Sequence, residues 1–72
     1  MMPKKNPNPS RLEEERHRAG LTRKQLAEQS DVNFRTIEAY EQGKNEINMA
    51  AAGTVRQLAR TLKIPIENIL ED

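Results

Sequence analysis

The sequence contains no cysteine, which excludes a disulfide framework, a thiolate zinc site and a cysteine nucleophile. Aromatic residues are nearly absent as well. Phe34 and Tyr40 are the only two, too few for a module that binds nucleic acid by stacking on the bases. The 4 prolines and 3 glycines are too few for a collagen-like repeat. A 72-residue chain without disulfides must gain its stability from helix packing or from a partner subunit.

Long hydrophobic runs are also missing. The longest one extends only from Met49 to Ala52, so we expect no segment that crosses a membrane. The basic start at Met1–Lys5 lacks the apolar stretch that follows it in a secretory signal, and a cytoplasmic protein is therefore expected. A content of 35% apolar and 32% charged residues is sufficient for one small domain with a modest core.

The first nine residues differ from the rest of the chain. Pro3, Pro7 and Pro9 disfavour helical geometry there and predict a flexible basic arm over residues 1–9. Residues 10–72 then form the folded domain, for which we predict an all-α class with five short helices and almost no strand. The first helix begins at Pro9 or Ser10 and ends at Gly20. Its inward residues are Leu12, Arg16 and Ala19.

The second and third helices have clear start and stop signals. Thr22 and Gln25 have the spacing of a capping box that opens the second helix. Asp31 tolerates a left-handed backbone and makes a tight corner. Asn33 then caps a third helix that runs to Gln42 before Gly43. The inward residues of this pair are Leu26, Ala27, Ile37 and Tyr40.

The last third of the chain predicts two more helices. Asn48 starts the fourth, in which Gly53 indicates close contact with a neighbouring element. Pro65 opens the fifth. The inward residues of these helices are Ala51, Ala52, Val55, Leu58, Ala59 and Leu62, followed by Ile66, Ile69 and Leu70.

Two short helices joined by the corner Ser30–Val32 cross steeply, which is the helix-turn-helix arrangement. The outward face of the third helix carries Arg35, Ala39 and Gln42, with Phe34 and Glu38 at its edge. Arginine can pair with guanine and apolar groups can contact thymine methyls, so this face suits the DNA major groove. The alternative is that Phe34 folds back onto the core.

The net charge of +1, from 12 basic and 11 acidic residues, does not predict a partner. The distribution of charge is more informative, because half of the cations lie on the arm or around the outward face of the third helix. They are Lys4, Lys5, Arg23, Lys24, Arg35 and Lys44. The compensating acids Glu13, Glu14, Glu67, Glu71 and Asp72 fall on other helices. A near-neutral total therefore indicates a polarised molecule that can meet phosphates on one side.

The segments Leu21–Ala27 and Val32–Lys44 resemble the Cro/repressor-type (XRE-like) helix-turn-helix family of phage and bacterial regulators. The likeness continues through Leu58–Leu62 and Ile66–Leu70 and covers residues 10–71. The resemblance implies a lambda-repressor-like DNA-binding domain that binds operator DNA, mostly as a homodimer on a near-palindromic site. The third helix of the family enters the major groove.

The resemblance also implies roles for individual residues. The positions that match base-reading residues are Asn33, Phe34, Arg35 and Ala39. Those that match phosphate contacts are Thr22, Arg23, Gln42, Lys44 and Asn45, and the neighbouring cation Lys24 is added to them. Arg16 and Glu41 match a structural ion pair, which the pattern also predicts because Arg16 interrupts an apolar stripe. Three departures from the family are Asp31 in place of the corner glycine, Glu15 at an often apolar position, and Glu46 where relatives place a cation.

An enzyme is the weakest alternative, since no residues have the spacing of a catalytic or metal site. The single histidine, His17, is predicted to be a solvated surface residue. No cofactor, metal or small-molecule ligand is expected. The serious rival is a protein-interaction module, or an antitoxin-like component, that docks a partner protein on Phe34. Salt separates the two hypotheses, because DNA binding weakens steeply with added salt and apolar docking does not.

Overall fold

The computed structural model describes residues 9–71, which form four α-helices and two 3-10 turns. The helices are α1 (Arg11–Arg18), α2 (Arg23–Ser30), α3 (Phe34–Glu41) and α4 (Ala52–Leu62), and the turns are Ile47–Met49 after α3 and Ile66–Asn68 after α4. None of the described residues lies in a β-strand, and the predicted all-α class is confirmed. The predicted arm over residues 1–9 lies outside the described residues except for Pro9.

Helix α1 begins with a side-chain cap and ends at a glycine. The Ser10 hydroxyl accepts a hydrogen bond from the backbone N–H of Glu13 at 3.0 Å, and Gly20 follows the helix with a φ of 75°. The prediction that Ala19 faces inward is wrong, because the residue is exposed. Ala19 lies just after the last helical residue, so the periodicity of α1 no longer applies to it.

Helices α2 and α3 follow the sequence signals closely. The capping box is complete: the Thr22 hydroxyl accepts from the Gln25 N–H at 3.0 Å, and the Gln25 side chain accepts from the Thr22 N–H at 2.9 Å. Asp31 forms the corner in the left-handed region, with a φ of 61°. The Asn33 side chain then caps α3 by accepting from the Arg35 N–H at 2.8 Å.

The last two predicted helices are shorter than expected. Asn48 does not start α4 but lies in the first 3-10 turn, where its side-chain amide exchanges hydrogen bonds with the backbone N–H and C=O of Glu71. Helix α4 begins at Ala52 after Ala51, which offers no side-chain cap. The predicted fifth helix is only the 3-10 turn that follows Pro65, so the structure has four α-helices where five were predicted.

Two predictions about the start of α4 are therefore wrong. Ala51 and Ala52 are exposed, since the inward stripe of α4 begins one turn later at Val55. Gly53 does not mark a close contact, because a Cβ built there would have no neighbouring heavy atom within 4 Å.

One core joins all four helices. Helix α2 packs on α3 and α4, and α1 packs on α3 and on the second 3-10 turn. The buried apolar residues are Leu12, Leu26, Val32, Ile37, Ile47, Val55, Leu58, Ala59, Leu62 and Ile69. Because Ile37 anchors one side of α3 in this core, the opposite side of that helix is turned outward. No helix within residues 9–71 has the length and apolar content needed to cross a membrane.

Candidate nucleic-acid interface

The outward side of α3 forms one wall of a shallow surface groove, called here the α3 groove. It is lined by Phe34, Arg35, Glu38, Ala39, Gln42 and Lys44. Phe34 is 42% exposed, so it is not part of the buried core, which was the alternative left open by the sequence. An aromatic ring, an arginine and a small apolar side chain therefore share one accessible surface.

The structure brings together three of the four predicted base-reading residues. Phe34, Arg35 and Ala39 line the α3 groove, with Phe34 and Arg35 exposed and Ala39 half-buried. Asn33 is exposed but does not line the groove. The side-chain oxygen of Asn33, Oδ1, accepts the hydrogen bond that caps α3. The NH₂ group of the same side chain is therefore the part that can donate to a base.

The predicted phosphate contacts form two groups, one just after α3 and one at the start of α2. Lys44 is exposed and lines the α3 groove together with the half-buried Gln42. Asn45 follows Lys44 and is also exposed. The backbone N–H groups of Lys44 and Asn45 both donate to the carbonyl of Ala39, at 2.9 and 3.3 Å, so only their side chains are available to a ligand.

The remaining predicted phosphate contacts lie at the N-terminus of α2. The first turn of a helix leaves four backbone N–H groups without intrahelical partners. The capping box uses those of Thr22 and Gln25, which leaves those of Arg23 and Lys24 to bind an anion. The side chain of Lys24 is exposed beside them.

Behind the groove, Arg16 and Glu41 form the ion pair that the sequence predicts. The Arg16 Nε donates to Glu41 Oε2 at 2.8 Å, and its Nη2 donates to Oε1 at 3.1 Å. The Arg16 Nη1 donates to the backbone carbonyl of Leu21 at 2.8 Å. Both charged residues are 7% exposed, and the bidentate pairing satisfies groups that would be costly to bury alone.

Arg23, which the sequence predicts as a phosphate contact, also belongs to this cluster. Its Nε donates to Glu41 Oε1 at 2.7 Å, and its Nη1 lies 3.6 Å from Glu38 Oε2. The hydrogen bond to Glu41 raises the pKa of Arg23, so the guanidinium stays charged. The i, i+3 spacing of Glu38 and Glu41 on one side of α3 is the sequence signal that could have revealed this contact.

Glu38 is a groove residue that the sequence assigns to neither set of candidate contacts. It places a negative charge within the α3 groove, among Arg35, Gln42 and Lys44. The side of the molecule that carries α3 is thus less purely cationic than the sequence suggests, because Arg23 is balanced by two carboxylates. The positive charges on this surface that are not part of the cluster include Lys24, Arg35 and Lys44.

Comparison with known proteins places this architecture in a family. A family model described as a helix-turn-helix domain matches residues 10–70, and the chain belongs to that family. Two curated relatives, from Sinorhizobium medicae (strain WSM419) and Rhizobium meliloti (strain 1021), are each 29% identical over 75 residues, which is 96% of this chain. Both are named uncharacterized HTH-type transcriptional regulators.

The chain spans about half the length of these relatives, since the matched region is 52% of each. No solved structure matches the chain.

Proposed function

We propose that this protein is a sequence-specific DNA-binding transcriptional regulator, acting as a repressor, that reads the major groove with α3. The observation that carries the proposal is the combination of Phe34, Arg35 and Ala39 on one accessible surface of the second helix of a helix-turn-helix. The regulator names of the two relatives support it.

The chemistry of the α3 groove suits base edges. An arginine can donate two hydrogen bonds to the O6 and N7 atoms of guanine, and apolar side chains contact the thymine methyl group. Arg35 supplies the first function, and Phe34 and Ala39 supply the second. A solvated helix face would instead carry charge at most of these positions, and it would have no reason to expose Phe34.

Groups suited to phosphate lie at the start of α2 and just after α3. The N–H groups at the start of α2 can bind one phosphate, with the exposed Lys24 next to them. Lys44 follows the end of α3 and lines the α3 groove. Contacts of this kind position a recognition helix without reading sequence, and they make the affinity dependent on salt.

We propose further that the protein binds as a homodimer to a near-palindromic operator. Two copies would place their α3 helices about one turn of DNA apart, ~34 Å, which matches two half-sites. The protein would then repress by occupying the operator, through binding and exclusion and without catalysis.

Selection of bound duplexes from a random pool, at 50 and 200 mM salt, tests this function. We expect one enriched sequence, repeated as two inverted half-sites, whose affinity falls steeply with log salt. A protein that shows no preference among duplexes even at the lower salt concentration would refute the proposal.

One observation favours a second candidate. The 42% exposure of Phe34 also suits a docking site for a partner protein, as in an antitoxin-like component. The salt series separates the two candidates, because apolar docking barely responds to ionic strength. A salt-insensitive complex with a protein partner that is lost in Phe34→Ala would favour this second function.

A further inference from the structure

We propose that Glu38 is a specificity-determining residue whose carboxylate accepts a hydrogen bond from the N4 amino group of a cytosine in the major groove. This inference rests on the proposed DNA-binding function of α3. The sequence places Glu38 at the edge of the outward face but in neither the base-reading set nor the phosphate set, and the structure adds its position in the α3 groove and its contact with Arg23.

Glu38 lies on the side of α3 that lines the groove. Its side chain is 37% exposed and lines the α3 groove with Phe34, Arg35 and Gln42. These residues are three or four positions away from Glu38 along the helix, so they share one side of α3. A ligand that contacts Arg35 and Gln42 therefore passes directly over the Glu38 carboxylate.

Four side chains of alternating charge run from the interior to the groove: Arg16, Glu41, Arg23 and Glu38. The contacts between successive members are 2.8, 2.7 and 3.6 Å. The first three members are fixed by hydrogen bonds, so Arg23 presents a stationary positive charge to Glu38. That charge attracts the Glu38 carboxylate and favours the conformation that the structure shows.

A carboxylate alone on a DNA-binding surface would be repelled by the phosphates, and the neighbouring Arg23 offsets that charge. The distance of 3.6 Å between Arg23 Nη1 and Glu38 Oε2 exceeds a normal hydrogen bond. This contact therefore supplies electrostatic compensation and leaves the acceptor positions of the carboxylate to another donor.

In the major groove, cytosine presents the N4 amino group alone, whereas guanine presents two acceptors and thymine an acceptor beside a methyl group. Adenine has an amino group, but its neighbouring N7 acceptor repels the second carboxylate oxygen. An ionised Glu38 therefore favours cytosine over the other three bases.

Duplex selection with the whole chain tests the proposal, using wild type, Glu38→Gln, Glu38→Ala and the control Glu28→Gln. The control removes the same charge from an exposed position of α2 that does not line the α3 groove. We expect wild type and the control to prefer cytosine by about tenfold at one position of each half-site. Glu38→Ala should lose the preference at that position alone, and Glu38→Gln should prefer adenine there, because an amide both donates and accepts.

The outcomes separate this inference from the proposed function. A wild-type protein that selects no sequence refutes the DNA-binding function, and Glu38 has no role to test. A wild-type protein that selects an operator while both Glu38 variants select the same one overturns the inference and leaves the function intact. Equal loss of preference at every position, with circular dichroism showing a folded variant, would also overturn it, because Glu38 would then act only on the placement of α3.

Discussion

The two halves of the described chain share one apolar core but differ in the polar contacts around their helices. In residues 10–45, side chains cap α1, α2 and α3, and a cluster of the buried Arg16 and Glu41 with the partly buried Arg23 links these three helices. In residues 46–71, α4 begins without a side-chain cap and is held by the buried residues of its apolar stripe. Hydrogen bonds and bidentate ion pairs impose direction, whereas apolar burial is non-directional.

This difference matters for the half that carries the α3 groove. A recognition helix must present its side chains in one fixed rotation relative to the helices that contact the phosphate backbone. The buried carboxylate of Glu41 provides that control, because it accepts from a donor on α1 and from a donor on α2.

Removal of the shared carboxylate should have the largest effect. Glu41→Ala leaves the buried guanidinium of Arg16 without its counter-ion, and we expect a loss of about 3–5 kcal/mol in the free energy of unfolding. Urea denaturation followed by circular dichroism measures it. The control Glu28→Ala, which removes an exposed carboxylate, should change the stability by less than about 0.5 kcal/mol. A loss below about 1 kcal/mol in Glu41→Ala would show that the cluster does not hold the three helices.

Shortening a core side chain of α4 should lower the free energy of unfolding by nearly as much. Leu58 is fully buried in α4, and Leu58→Ala is expected to lower the free energy of unfolding by about 2–5 kcal/mol through lost burial and a cavity. The neighbouring exposed residue gives a control, since Gln57→Ala should have little effect. Equal urea midpoints for the two variants would contradict the assignment of the core.

The capping box gives a smaller effect in the first half. Thr22→Ala removes the acceptor for the Gln25 N–H, and we expect a loss of about 1 kcal/mol. Such a loss lowers the midpoint of thermal unfolding by about 4–8 °C for a domain of this size. Thr22→Ser keeps the hydroxyl and should unfold close to wild type. If Ser and Ala destabilise equally, the hydroxyl is not the stabilising group.

The smallest expected effect comes from adding a side-chain cap to α4, which has none. Ala51 precedes α4 with an extended backbone and no side-chain acceptor, so Ala51→Ser should add a cap and raise the stability by about 0.5–1 kcal/mol. Ala52→Ser, one residue inside the helix, is the matched control and should give no gain. A gain in the control alone would mean that α4 begins one residue later than the structure indicates.

The same contrast explains which parts of the fold the sequence predicts. Helix boundaries are encoded locally where polar caps exist, and Thr22, Asn33 and Gly43 mark the bounds of α2 and α3 in the sequence. Helix α4 has no such mark, and the one candidate cap, Asn48, is engaged with the backbone of Glu71. Contacts between residues 23 positions apart leave no local signal.

The sequence predicts the candidate site only in part, for the same reason. The residues on the outward face of α3 follow from helical periodicity, and three of the predicted readers line the groove. The inward turn of the Arg23 side chain depends on the packing of α2 against α3, which periodicity within one helix does not contain. The position of Glu38 beside the outward face also follows from periodicity, but its contact with Arg23 has the same origin in helix packing.

The central claim is that the outer side of α3 distinguishes bases, and paired titrations of Arg35→Ala and Lys44→Ala test it most directly. On the selected duplex, Arg35→Ala should cost about 1–3 kcal/mol of binding free energy, and on a scrambled duplex it should cost much less. Lys44→Ala should weaken both duplexes alike and reduce the salt slope by about one unit. Equal losses on the two duplexes for Arg35→Ala would contradict base reading by this residue.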